Sequence, residues 1–189
     1  MKVSVLFWEW PVEGVMKHDE VVDQVQQALT ESGHEATLLG ITSDLKYLVD
    51  KIEEQKPDLV FNLVETFADN DAFEMNIAAV LQILGVRFTG SSARVMAVRQ
   101  DKGLTKKLLA FHDVRCPQFA TFDHDNIEFA GKMRFPLLVK PLHGDASAGV
   151  HDSSLVTDFR SLVERIAYIH TELKDTALVE EYIDGRELT

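Results

Sequence analysis

Lys140 closes an apolar run, FPLLVK (135–140), and Pro141 follows it. A lysine at the end of a buried strand is costly unless its ammonium meets an anion. The next stretch, HGDASAGV (143–150), holds Gly144, Ala146, Ser147, Ala148 and Gly149. Such small residues let backbone N–H groups approach a phosphate closely, and Ser147 adds a hydroxyl. Strand, lysine, then small-residue loop is a sensible phosphate clamp, unlike the Walker order, in which the lysine follows the glycines. A hairpin with a lysine snorkelling at its rim gives the same letters. Lys102 and Lys106 are four apart and share a helix face, where like charges repel unless an anion lies near. A solvated amphipathic helix is the other reading. Glu180 and Glu181 close a second apolar strand, and Glu187 follows the Asp184-Gly185 turn. Carboxylates there can accept from ribose hydroxyls while the strand backbone reads a purine edge. They can equally be the charged end of a strand in an acidic protein. The seven histidines show no metal-ligand spacing, Cys116 precedes a proline, and Ser91-Ser92 lacks a nucleophile elbow. Only His143, beside the glycine loop, stays on the list of candidates.

Two series of elements must position these residues. In the first, Val3–Trp8 reads as a buried strand. Asp19 caps a helix with Val21, Val22, Val25, Ala28 and Leu29 on one stripe, stopped by Gly33. Ala36–Leu39 is a strand, Ser43 caps a helix bearing Leu45, Leu48, Val49 and Ile52, and Leu59–Val64 is a strand. Residues 71–84 form a third helix with Phe73, Ile77, Val80, Leu81 and Leu84 inward. Alternating strands and helices predict a parallel sheet covered by helices. In the second series, helices are predicted at 92–98 and 102–112, with Leu104, Leu108 and Phe111 on one face of the latter. Gln118–Phe122 is a strand, Asn126–Lys132 one or two helical turns, and Phe135–Lys140 a strand. A helix then starts at Thr157 or Asp158 and carries Phe159, Leu162, Val163, Ile166 and Ile169, before the strand Ala177–Ile183. This predicts an α+β unit, joined to the first by a linker at 90–93.

The composition narrows the function classes. In 189 residues, 46% are apolar, too many for a disordered chain, and the length allows one large domain or two small ones. The net charge of −12 argues against nonspecific binding to nucleic acid or an anionic membrane. Residues 87–115 run against that balance, with seven basic side chains to two acidic, a local +5. Such a segment suits a small anionic ligand, or is simply a solvated basic face. No apolar run approaches the ~20 residues of a membrane helix, and the N-terminal stretch is too short for a signal peptide. The single Cys116 excludes an intrachain disulfide. A soluble, cytoplasmic protein is the expectation.

Six segments occur in a specific order: PDLVFNLVE (57–65), LGVRFTGSS (84–92), QDKGLTKKLL (100–109), FPLLVKP (135–141), GDASAGV (144–150) and LVEEYIDGRELT (178–189). In this order they resemble the ATP-grasp ligases, and within them the D-alanine–D-alanine ligase family. The resemblance implies an α/β chain: a Rossmann-like preATP-grasp domain at 1–91, then linker helices and the α+β ATP-grasp small lobe at 92–189. It implies that Lys102 and Lys140 bind ATP phosphates and that the loop with Gly144, Ala146, Ser147 and Gly149 folds over them. Glu180, Glu181, Tyr182 and Ile183 would contact adenine, largely through backbone, and Glu187 would hold ribose. The implied function is ATP-dependent carboxylate–amine ligation through an acyl phosphate, with ATP and a small carboxylate or amino acid as ligands. No nucleic-acid or membrane partner is implied, and a homodimer is a candidate assembly.

The sequence departs from the family where substrate is recognised. The glutamate-containing segment that grips the substrate amine is replaced by FWEWPVEGVMKHDEVV, with Glu13 nearest to its place. The histidine-glycine pair after the third strand is replaced by Glu65-Thr66, followed by Asp69, Asp71 and Glu74. The serine pair of the phosphate loop is Ala146-Ser147. Glu13 and Glu65 are therefore the substrate candidates, and a substrate other than D-alanine is expected. The family continues well beyond GRELT with the rest of the large lobe, so the resemblance implies a fragment whose Mg²⁺ ligands lie beyond residue 189, with no metal site within the chain. The alternative is a truncated ATP-grasp module that binds nucleotide or a partner without catalysis.

Overall fold

The computed structural model describes residues 1–123, 127–129, 133–143 and 149–186. The chain divides into two compact units, Met1–Ala97 and Val98–Thr189. No helix among the described residues is long and apolar enough to cross a membrane.

The first unit is built on strand β1 (Lys2–Trp8), whose interior residues are all buried. It pairs in parallel with β4 (Glu35–Ile41) on one side and β5 (Leu59–Asn62) on the other, with Val3 opposite Ala36 and Leu59. Strand alternation sends Val5 and Phe7 to one face, against Val22 of helix α1 (Glu20–Glu31). Leu6 points to the other face, where Leu39 and Ile41 meet Leu48 and Ile52 of α2 (Leu45–Gln55) and Ile77 and Leu81 of α3 (Glu74–Ile83). Helices on both faces explain why β1 reads as a continuous apolar run.

Local chemistry sets the ends of these elements. Asp19 Oδ1 accepts from Val21 N at 2.9 Å and starts α1. Helix α2 is capped by Asp44, which accepts from Tyr47 N at 3.0 Å, and not by Ser43. The aspartate stands immediately before the first helical residue with an extended backbone, the geometry a cap requires. Strand β5 stops at Asn62, short of Val64, because the Asn62 side chain accepts from Val64 N and turns the chain. The predicted helix 71–84 begins as a 3₁₀ turn over Asp71–Phe73, capped by Asn70, which leaves Phe73 exposed. A hairpin of β2 (Trp10–Val12) and β3 (Val15–Lys17) has no counterpart among the expected elements. Glu13 and Gly14 form its turn, both with positive φ.

The second unit opens with the end of α4 (Ala93–Gln100) and with α5 (Lys102–Phe111), capped by Asp101. Its antiparallel sheet has the order β7 (Ile127–Phe129), β6 (Phe119–Phe122), β10 (Ala177–Glu181), β8 (Leu137–Pro141), β9 (Leu155–Val156). One face, with Leu137, Val139, Ala177 and Val179, packs on α6 (Phe159–Tyr168) and on Ile169. The other face carries Phe119, Leu178 and Leu142 and receives α5.

Several expectations are corrected here. Residues 127–129, expected to be helical, form a strand on β6, with Phe129 opposite Ala120 and Ile127 opposite Phe122. A three-residue edge strand is too short for periodicity to reveal. Strand β8 starts at Leu137, after Pro136, whose nitrogen carries no hydrogen for a ladder. Strand β10 ends at Glu181, leaving Tyr182 and Ile183 exposed. On α6 the buried stripe runs through Leu162, Arg165, Ile166 and Ile169, a 0, +3, +4, +7 set, so Phe159 and Val163 face outward. Leu104, Leu108 and Phe111 of α5 are likewise exposed.

Neighbouring residues of α3 separate core packing from helix propensity. Leu81 is fully buried and Ile83 is 83% exposed. Leu81→Ala should cost about 3 kcal/mol of unfolding free energy and Ile83→Ala less than about 1 kcal/mol, read by urea denaturation. Equal costs would contradict this core.

Candidate functional site

The α5-facing side of the second sheet gathers the charged residues. Antiparallel register places Lys140 opposite Leu178, so Glu180 lies one diagonal step away on the same face. Phe119 of β6 stands opposite Glu180 and shares that face too. Helix α5 comes close because Gly103 has no side chain: a Cβ there would lie 3.2 Å from both Leu142 Cδ1 and Thr121 Cγ2. That approach brings Lys106, one turn along, over the sheet. Its ammonium lies 5.8 Å from the Phe119 ring centre and 2.7 Å from Glu180 Oε2. The Lys140 ammonium donates to Glu180 Oε1. One carboxylate thus joins two lysines, with side-chain exposures of 7% for Glu180, 13% for Lys106 and 21% for Lys140. Burial pushes the Glu180 carboxyl upward, but the Lys106 and Lys140 ammonium groups outweigh it and hold it below the ordinary 4.5.

Lys102 acts at the entrance of the small-residue loop. Its Nζ donates to the carbonyl oxygens of His143 (2.9 Å), Leu142 (3.2 Å) and Pro141 (3.3 Å). His143 is held from the other side by Asp175. The His143 N–H donates to Asp175 Oδ2 at 3.0 Å, and Nδ1 lies 2.6 Å from Oδ1. The Asp175 hydrogen bond raises the His143 pKa above 6.5 against the effect of partial burial. Burial pushes Asp175 upward, but hydrogen bonds from His143 hold it below 3.8.

The exit of the loop is set at Gly149, whose φ is +71°. A Cβ there would meet Leu173 Cδ1 at 2.7 Å and Pro141 Cγ at 2.9 Å, so entrance and exit lie side by side. The Arg165 guanidinium donates to the Gly149 carbonyl and, at 2.9 Å, to Ser154 Oγ, while its charge sits 4.8 Å from the Tyr168 ring centre. Burial lowers the Arg165 pKa from its ordinary value.

Lys140 and Glu180 therefore share the α5-facing side of the second sheet, Lys102 holds the loop entrance, and Gly149 lies at the loop exit against Pro141 and Leu173. Gly144, Ala146, Ser147 and Glu187 lie outside the described residues. Glu181 turns to β6, where its backbone N–H donates to Gln118 O at 2.9 Å and its Oε2 accepts from Gln118 N at 3.3 Å. Tyr182 and Ile183 continue past the strand in exposed positions. Glu13 and Glu65 belong to the first unit, Glu13 in the hairpin turn and Glu65 in the loop after β5, both exposed. That loop crosses to the end of β4, where Ala68 N donates to Thr42 O at 3.2 Å. Among the described residues no group of three or more His, Cys, Asp or Glu side chains could hold a metal ion.

Three residues of this site are absent from the sequence-based candidates. Lys106 was visible as the i+4 partner of Lys102, yet nothing local tied it to Glu180, 74 positions away. Arg165 had a readable signal, a charged residue on the apolar stripe of α6. Asp175 had none, because its partner is 32 residues distant.

No protein-family model matches the sequence. Curated relatives do. The chain is 34% identical over 173 residues to an uncharacterised protein of Sinorhizobium fredii, covering 89% of this chain and 50% of that protein. It is 31% identical over 193 residues to the D-alanine–D-alanine ligase of Gluconobacter oxydans (100% and 60%) and 28% identical over 165 residues to that of Zymomonas mobilis (87% and 50%). The fold is that of these ligases. The Bacillus anthracis D-alanine–D-alanine ligase superposes with a TM-score of 0.73 at 22% identity, over 98% of this chain and 58% of that one. An L-amino acid ligase from Bacillus licheniformis superposes at 0.66 and 17% identity, over 98% and 45%. The chain resembles D-alanine–D-alanine ligases over most of its length and spans about half the length of the curated relatives it matches.

Two predictions follow the loop ends. Gly149→Ala adds a clash to an unfavourable φ and should destabilise the second unit by about 2 kcal/mol in urea unfolding; a change under about 0.5 kcal/mol would contradict the geometry. The His143–Asp175 pair contributes stability above the ordinary carboxylate value of 3.8 and below 6.5, and loses it as pH rises through the raised His143 pKa. The melting-temperature gap between wild type and His143→Ala should therefore be larger near pH 5 than near pH 8.5. A gap that grows with pH would reverse the sign.

Proposed function

We propose that this chain is the nucleotide-binding front portion of a soluble, cytoplasmic ATP-dependent carboxylate–amine ligase of the ATP-grasp type. The observation that carries this reading is the buried lysine–glutamate–lysine group at the end of β8, beside the mouth of the small-residue loop. Lys140 would present its ammonium to ATP phosphates, with the loop from Gly144 to Gly149, including Ala146 and Ser147, closing on them. Lys102, whose Nζ meets three carbonyl oxygens at the loop entrance, would bind ATP phosphates as well. The segment Glu180–Ile183 would meet adenine, and Glu187 ribose. The domains proposed are 1–91 and 92–189.

In the reaction proposed for the whole protein, a carboxylate oxygen of the substrate attacks the γ-phosphorus of ATP. The bond to the β-phosphate oxygen breaks, and ADP leaves with its electron pair. The acyl phosphate formed is attacked at its carbonyl carbon by an amine, which loses a proton as inorganic phosphate departs. Catalysis of this kind is positioning and charge neutralisation. The neutralisation proposed for this chain is that of its lysines, and the magnesium implied by the resemblance would supply more. Glu65-Thr66 and the Glu13 hairpin support a small carboxylate or amino acid other than D-alanine as substrate.

Replacing Lys140 by Ala leaves Glu180 paired with Lys106, so folding should be nearly unaffected. ATP affinity, measured by calorimetry, should fall about tenfold or more. An affinity within about twofold of wild type, with folding intact, would refute the assignment.

A further inference from the structure

The charge balance of the Lys106–Glu180–Lys140 group carries an inference that rests on the nucleotide reading above. Glu180 is shared: one carboxylate oxygen faces Lys140 and the other faces Lys106. Two ammonium groups against one carboxylate leave the group at +1 in a setting where water reaches each side chain only partly. The most exposed of the three is Lys140, next to the loop mouth, and the least exposed is Glu180. Were Lys106 absent, Glu180 would neutralise Lys140 outright and the group would carry no net charge.

We propose that Lys106 is a positioning residue for polyphosphate binding, which neutralises Glu180 from the α5 side and so leaves the positive charge of Lys140 available to an incoming phosphate. Lys106 need not touch the ligand. Its 2.7 Å contact with Glu180 and its place over the Phe119 ring keep it on the buried side of the carboxylate. The placement depends on Gly103, which lets α5 lie close enough to the sheet. Coulomb attraction across a few ångströms in a partly desolvated site is strong enough for one unit of charge to matter.

The test uses the 189-residue chain, three ligands and three variants. Adenosine, ATP and tripolyphosphate are titrated calorimetrically into wild type, Lys106→Met, Lys106→Arg and the double variant Lys106→Met/Glu180→Gln, with thermal unfolding recorded for each. Lys106→Met should weaken ATP and tripolyphosphate about tenfold and leave adenosine within about twofold. Lys106→Arg, which keeps the charge, should bind close to wild type. The double variant removes one charge of each sign and returns the group to +1, so it should recover affinity for tripolyphosphate, which has no adenine to meet Glu180. A purely structural role for Lys106 predicts instead that adenosine and ATP fall together and that the double variant is worse than the single. That outcome, or unchanged ATP and tripolyphosphate binding in Lys106→Met, overturns the proposal. If Lys106→Met does not fold, the double variant decides: tripolyphosphate affinity near wild type supports charge balance, and a tenfold loss overturns it. Wild type that binds tripolyphosphate but not ATP sinks the nucleotide reading and leaves the charge inference standing. Wild type that binds none of the three ligands overturns both.

Discussion

A buried carboxylate cannot stand alone, and Glu180 determines much of the second unit for that reason. Transferring a charge from water into a protein interior is recovered only by close partners of opposite sign. Glu180 has two, one from the neighbouring strand and one from the helix above. Both contacts need the observed register of β10 against β8 and the close approach of α5 to the sheet. That approach is possible because Gly103 has no side chain. The same arrangement makes the site electrostatically unbalanced toward the positive, which is what a phosphate requires.

Around this group the small-residue loop is held at both ends by groups with different chemistry. Its entrance is fixed by a lysine ammonium on three carbonyls and by an imidazole–carboxylate pair. Its exit is fixed by a buried guanidinium on one carbonyl and by a glycine that no other residue can replace without collision. The first unit serves differently. Its sheet is covered on both faces, and the segments that leave the carboxyl ends of β1 and β5 carry Glu13 and Glu65. Open parallel sheets bind ligands at such ends.

Composition, periodicity and motif order in the sequence already determined the alternation of strands and helices in the first unit, the run of β8 into a lysine, and the likeness to ATP-grasp ligases. These are local or ordered signals: an apolar run, a cap, a turn, a short segment in its place along the chain. The shortest elements were not legible. The two strands of the β2–β3 hairpin and the edge strand Ile127–Phe129 span three residues each, too few for a period to emerge. Tertiary structure decided which charges meet. Lys106 and Glu180 are 74 residues apart, His143 and Asp175 are 32, and Arg165 reaches back 16 to Gly149. No local rule links them, because such pairs form only once register and helix docking have brought distant segments within hydrogen-bonding reach. The sequence alone could raise the lysines as candidate phosphate ligands. Only the folded chain could show that Lys102 meets three backbone carbonyls and that Lys140 meets a shared carboxylate, since the cost of burying each charge depends on neighbours that the fold supplies.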